Sequence, residues 1–268
     1  MKQYKIAIIG SGALGSIIGK VVSGDLSEEY EILGVLSGRI ENAVKLAHEI
    51  GCKAYKTLNE IIDDKPDYII EAASPEVFKN IGIKILENGI SLIPLSVGAL
   101  ADKEYYNNVK AAALENNCRV YIPSGAVGGF DVLRGAMLME DAEVSITTKK
   151  SPGSLNGAPF LKGRKLSKEK AEEIFSGSAM EAIEHFPENV NVAVATAIAT
   201  TGVENIKVSI HSIPGLESNE HEINLTGKII KVNVTIETTP SDDNPKSSTL
   251  AAYSVISLLK NIVSPITF

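Results

Sequence analysis

Short apolar runs alternate with amphipathic stretches through the first half of the chain. Tyr4–Ile9 is such a run, halted at Gly10, and it predicts a buried parallel strand. From Ala13, the residues Leu14, Ile17, Ile18 and Val21 recur at helical spacing, and Gly24 suits the helix end. The same reading predicts strands over 30–36, 68–73, 90–95 and 119–122. It predicts helices over 40–50, 75–88 and 102–116, with Gly51 and Gly89 as stops and Asp102 as a cap. Regular β-α-β alternation implies a parallel sheet with helices on both faces. The expectation is an α/β chain opening with a Rossmann-type, doubly wound parallel sheet over residues 1–123.

After Pro123 the period changes. Ser124–Gly129 is a glycine-rich joint, and 143–149, 206–210, 219–225 and 230–236 alternate apolar with polar positions. Period-two strands predict an open mixed sheet with one solvated face. Helices over 168–184 and 190–200 are expected to cover the other. This second, α+β domain over 124–246 is read as the substrate, catalytic and oligomerisation domain. Residues 151–164, rich in Gly, Pro and Ser, form a long loop, a length often tied to function. A turn-rich stretch, 239–246, precedes a final helix over 247–263 that can return to the first domain.

Composition narrows the function. At 268 residues with 44% hydrophobic and 22% charged positions, a sizeable core is available. A net charge of −7 with no basic block argues against nucleic acid as a partner. Two cysteines, Cys52 and Cys118, give neither a disulfide framework nor a metal site. No apolar run approaches a membrane span, and Met1–Ile9 enters a strand pattern at once, leaving no room for a signal peptide. A soluble cytoplasmic protein is expected. Open sheet strands need covering, which points to a homodimer.

Gly10-Ser11-Gly12-Ala13-Leu14-Gly15 is G-x-G-x-x-G between a strand and a helix, the context a dinucleotide fingerprint requires. Gly10 permits the tight turn, Gly12 the approach of a pyrophosphate, and Gly15 close helix packing. With Ala13 and Leu14 they place the pyrophosphate at the positive helix end. The second strand ends Leu36-Ser37-Gly38-Arg39, without the acid of a dedicated NAD site. Ser37 and Arg39 could accept a 2′-phosphate, which favours NADP or dual use; otherwise Arg39 is a solvated residue at a helix start. Ala73 and Ser74 end the fourth strand and Ser96 the fifth, where small residues admit a nicotinamide ribose or serve ordinary turn chemistry.

Of four histidines, His221 differs. Period two puts it with Ile223 and Leu225 on the covered face, as a satisfied core residue or as a catalytic acid/base. Asn189 suits a helix cap, and Asn191 falls in the first turn with no capping duty. Four motifs together resemble the L-aspartate dehydrogenase family: G-x-G-x-x-G, S-G-A-V-G-G-F-D at 124–131, F-P-x-N-x-N-V at 186–192, and S-N-x-H at 218–221. That resemblance implies NAD or NADP as cofactor and oxidation of L-aspartate to iminoaspartate. The imine then yields oxaloacetate and ammonia or supplies NAD biosynthesis. It also implies cofactor contacts from Ala126 and Asn191, and His221 as the catalytic residue. Lys149, Lys150 and the loop to Arg164 are candidates for the substrate carboxylates. Two alternatives stay open: a reductase of the dihydrodipicolinate-reductase plan, whose lysine-loop signature is missing, and a non-catalytic NAD(P)-sensing protein.

Overall fold

The computed structural model describes residues 3–186, 190–239 and 248–268. The chain divides into two compact units, 1–123 with 251–268, and 124–250.

The first unit runs β1 (Tyr4–Ile9), α1 (Ala13–Asp25), β2 (Tyr30–Leu36), α2 (Ile40–Ile50), β3 (Lys53–Tyr55), α3 (Leu58–Asp63), β4 (Tyr68–Glu71), α4 (Pro75–Glu87), β5 (Ser91–Pro94) and α5 (Lys103–Glu115). All four strand pairings are parallel, in the order β3-β2-β1-β4-β5. This is a Rossmann-type sheet whose strand order reverses between β1 and β4, where such sheets bind ligands. The strands are buried on both faces, which is why Ile6, Ile8, Ile69 and Ile70 are consecutive or near-consecutive apolar positions with no exposure. The strand expected over 119–122 is reduced to a single bridge, Val120 to Leu92. The short pair β3 and α3 was not predicted; three residues at a sheet edge are too few to show a period.

The second unit holds α6 (Phe130–Met139), β6 (Glu143–Lys150), a one-turn helix α7 (Pro152–Leu155), β7 (Glu172–Ser178), α8 (Ala179–His185), α9 (Asn191–Ala199), β8 (Lys207–Ser212), β9 (Asn219–Thr226) and β10 (Lys231–Thr238). Its sheet has the order β10-β9-β6-β8-β7. Only β6 and β8 are parallel; the other pairs are antiparallel, so the sheet is mixed. Its covered face carries Val144, Ile146, Val208, Ile210, Ile223 and Leu225, which pack with Leu133, Ala136, Ala182, Ala193 and Ala197 from α6, α8 and α9. The opposite face is polar, with Asn233 Nδ2 bonded to Asn224 Oδ1 at 2.8 Å.

The helix expected over 168–184 is a correction. Residues 172–178 are a strand, and only 179–185 are helical. A register shift between Glu173 and Phe175 buries both Ile174 and Phe175, which erases the period-two signal. Ser178 and Glu181 then form a capping box that starts α8. The final helix, α10 (Leu250–Val263), belongs to the first core: Ala252, Val255, Ile256 and Leu259 pack with Ile6, Ile8 and Tyr30, and the Tyr30 hydroxyl donates to the Leu259 carbonyl at 2.8 Å. The proposed cap Asn189, the turn residues 240–246 and the helix start at Ser247 lie outside the described residues.

Candidate active site

In the first unit the glycine turn has the stereochemistry a dinucleotide needs. Gly10 has φ +109°, and a Cβ there would stand 2.4 Å from the Ala72 carbonyl oxygen. A Cβ on Gly15 would stand 1.9 Å from the Gly10 carbonyl oxygen, so helix and turn meet only because both residues are glycine. At Gly12 the space is open, and Gly12 caps α1 without any side-chain acceptor. The first N–H groups of α1, at Ala13, Leu14 and Gly15, therefore face an approachable surface with positive potential. These residues fit a pyrophosphate.

Ser37 Oγ accepts from Ser11 Oγ at 2.8 Å, tying the end of β2 to the glycine turn. Arg39 is exposed at the N-cap of α2 and has no ion pair among the described residues. Past β4, Ala73 is exposed, whereas the Ser74 hydroxyl caps α4 by accepting from the Val77 N–H at 3.2 Å. Sequence reasoning missed Glu71, which organises this edge. Its carboxylate is fully buried. Oε1 accepts from the Ala73 N–H (2.7 Å), the Ser74 N–H (3.0 Å) and Ser96 Oγ (2.9 Å), and Oε2 from the Ser96 N–H (3.1 Å). Burial pushes the Glu71 carboxyl above its ordinary range, opposed by those hydrogen bonds. The signal was present as one acid ending an otherwise apolar run, Tyr68–Ile70. Ser96 is committed to this carboxylate.

In the second unit His221 stands on β9 at 4% exposure, on the covered face with Ile223 and Leu225. Its Nδ1 lies 3.0 Å from Thr148 Oγ1, opposite it on β6. Burial, and then the charge of Lys150, lower the His221 pKa to about 3, so the ring is neutral at physiological pH. The two lysines that end β6 separate. Lys149 lies on the open face, paired with Glu220 at 2.6 Å. Lys150 is 4% exposed on the His221 face, and burial lowers its pKa to about 8. Period two places 150 on the side of Val144 and Ile146, which was the available signal. The other histidines serve elsewhere: His48 is exposed on α2, His211 lies 3.6 Å from Glu173, and His185 packs on Phe160 with ring centroids 5.1 Å apart.

Asn191 is the first residue of α9, and Ala126 is buried in the segment between Gly125 and Gly129, both at positive φ. Both belong to the second unit. The long loop lines a half-open pocket of about 820 Å³ with Lys162, Arg164, Lys165 and Lys168 on its wall, and Arg164 pairs with Glu172.

Comparison with known proteins decides the family. Residues 131–262 match the model for the C-terminal domain of aspartate dehydrogenase, and residues 10–123 match the NAD-binding domain described for homoserine dehydrogenase. L-aspartate dehydrogenase from Methanococcus maripaludis is 37% identical over 267 residues, covering 98% of each chain. That from Methanosarcina mazei is 39% identical over 270 residues, again covering 98% of each.

The chain belongs to the aspartate dehydrogenase family.

The crystal structure of aspartate dehydrogenase from Thermotoga maritima superposes with a TM-score of 0.75 at 26% identity, covering all of both chains. As a family member the chain is an NAD(P)-dependent oxidoreductase of the CH–NH2 class, with NAD or NADP as its cofactor. Among the described residues no helix is long and apolar enough to cross a membrane.

Proposed function

We propose that this chain oxidises L-aspartate to iminoaspartate, which hydrolyses to oxaloacetate and ammonia or supplies NAD biosynthesis. The observation that carries the reading is the buried His221–Thr148 pair, inside a chain that is similar along its whole length to L-aspartate dehydrogenases. When bound, the nicotinamide supplies the hydride acceptor. The glycine turn Gly10, Gly12, Ala13, Leu14 and Gly15, together with Ser37, Arg39, Ala73 and Ser74, would hold the dinucleotide, with further contacts from Ala126 and Asn191.

His221 moves the proton. The substrate amine arrives as an ammonium and must lose a proton before its Cα can give up hydride. For Nε2 to accept it, Nδ1 must carry the ring hydrogen and donate to Thr148 Oγ1, which fixes the tautomer and the ring plane. Burial keeps the free imidazole neutral and ready to accept. Hydride loss leaves the protonated imine, and once the imidazolium has released its proton to solvent the neutral ring can take a proton from the water that adds to the imine carbon.

The chain is also read as a cytoplasmic homodimer, the dimer on the strength of the open sheet face; light scattering at micromolar concentration tests it. The activity is tested by nicotinamide absorbance with L-aspartate and each cofactor, and in reverse with oxaloacetate and ammonia. Aspartate-dependent reduction of at least one cofactor is expected. A folded chain that binds the dinucleotide but shows no such reduction would overturn the reading.

A further inference from the structure

The covered face of the second sheet changes character at one end. Along β6 it reads Val144, Ile146, Thr148, Lys150; along β8, Val208, Ile210, Ser212; and along β9 from its other end, Leu225, Ile223, His221, Asn219. The strand register arranges the polar ends in lateral rows. Thr148 lies opposite His221, which lies opposite Ile236. One row further out, Lys150 lies beside Ser212, and Asn219 lies opposite Thr238. Continuing the β6–β9 register past the Lys149–Glu220 pair sets Asn219 beside Lys150. The outer row therefore reads Ser212–Lys150–Asn219–Thr238 across four adjacent strands.

Three of the four are buried, with Ser212 0%, Asn219 2% and Lys150 4% exposed, and Thr238 is half-buried. Among the described residues, Ser212 Oγ, Asn219 Oδ1 and Thr238 Oγ1 are buried and have no hydrogen-bond partner. Buried polar atoms are nearly always paired, so three in a single row call for a cause. A buried ammonium in the same row compounds the cost, since a chain selected for stability alone would continue the Val144–Ile146 pattern here. One ligand resolves all of it: an anion with several acceptor oxygens next to a group bearing N–H donors.

We propose that Ser212, Lys150, Asn219 and Thr238 form the row that holds the dicarboxylate amino-acid substrate beside His221, one carboxylate at the Ser212–Lys150 end and the other at the Thr238 end. Lys150 supplies the cation and the Ser212 hydroxyl a donor for one carboxylate, and the Thr238 hydroxyl, about two strand spacings from Lys150, donates to the other. Asn219 Oδ1, two residues from His221 on the same face, accepts from the substrate ammonium and steers it towards the imidazole. Burial above all, and then the lysine charge, lower the basicity of His221, and the carboxylate offsets the second of these. Substrate binding thus makes the base stronger at the moment it is needed, and a simple amine without a carboxylate would not. The inference rests on the aspartate reading for its substrate, while the anion-binding part stands on the row itself.

The test uses the full chain with and without NAD, and succinate as the binding probe. Lys150→Met removes the charge at similar length. It should weaken succinate binding in calorimetry and raise the L-aspartate KM by about 10- to 100-fold, the loss expected for hydrogen bonds to a charged group. The dinucleotide Kd should stay within about twofold. Lys149→Met, on the open face, should change none of these. Ser212→Ala and Thr238→Val cover the case in which Lys150→Met fails to fold, and each should weaken succinate binding by several-fold. If the wild-type chain oxidises aspartate but these variants bind succinate and aspartate unchanged, the row inference falls alone. If the chain binds succinate through Lys150 yet never oxidises aspartate, the subsite stands and the substrate reading falls. A wild-type chain that binds no succinate in either state overturns the subsite.

Discussion

Glu71 offers the sharpest test of how the first unit holds its ligand edge. Its carboxylate receives three main-chain N–H groups and one hydroxyl, and so joins the turn after β4 to the turn after β5. In Glu71→Ala the Ala73 and Ser74 N–H groups, which are partly buried, can be recovered by water. The Ser96 N–H and hydroxyl are buried and cannot. Each buried donor left unpaired costs about 1–3 kcal/mol, so the two together cost roughly 2–6 kcal/mol. Each kcal/mol corresponds to a fall of about 2–4 °C in the unfolding midpoint. Glu71→Gln keeps an oxygen at the Oε1 position for three of the four donors but sets an amide against the Ser96 N–H. It should cost about one bond, roughly 1 kcal/mol. The sign of the pH dependence follows from burial. The folded-state pKa is raised, so the stability held by the protonated acid is complete below the ordinary carboxyl pKa and is lost as pH rises through the folded value. The wild-type advantage over Glu71→Gln should therefore shrink as pH rises. Urea titrations of both variants across that window, with dinucleotide Kd measured alongside, give the answer. Equal losses for Gln and Ala would show that packing, not hydrogen bonding, holds the turns; a midpoint unchanged in Glu71→Ala would refute the clamp altogether.

Two further substitutions probe the proposed chemistry. His221→Ala should lower turnover by about two to four orders of magnitude with little change in dinucleotide affinity, and a variant that keeps full turnover per folded molecule would remove His221 from catalysis. The wild-type chain should lose stability by up to about 1.4 kcal/mol per pH unit as pH falls below about 6.5, because the His221 pKa is depressed when folded and the unfolded chain binds that proton first; His221→Gln should flatten this slope, as read by denaturant midpoints. Arg39→Ala should raise the NADP KM and leave the NAD KM nearly unchanged, since only NADP offers a 2′-phosphate for a bidentate guanidinium contact; equal losses with both cofactors would assign Arg39 to the shared part of the nucleotide.

What could be read from the chain depended on whether local pattern and tertiary role coincided. They coincide in the parallel sheet, where burial on both faces makes Ile6–Ile9 and Tyr68–Ile70 unbroken apolar runs. They coincide at the glycine turn, where each glycine answers a separate steric demand. They part at β7, because the register shift puts Ile174 and Phe175 on the buried side together and mimics helical spacing. They part again at α6, where Val132, Leu138 and Met139 are exposed and blur the apolar stripe.

The candidate site follows the same logic with a sharper consequence. Period two placed His221 on the covered face because its neighbours Ile223 and Leu225 declared which side was apolar. Nothing local declared that Lys150, Ser212, Asn219 and Thr238 are one group, since they come from four strands and meet only through the register of a mixed sheet. Each alone reads as the polar end of a strand reaching solvent. Glu71 was hidden for a related reason: its partners, Ala73, Ser74 and Ser96, are small residues whose backbone groups leave no mark in composition. A strand end that continues the buried face yet turns polar is thus the feature to look for. In this chain it occurs on three adjacent strands at the same level, and hydrophobic burial cannot account for it. Buried oxygens without partners beside a lysine at that level are what the proposed substrate row would complete.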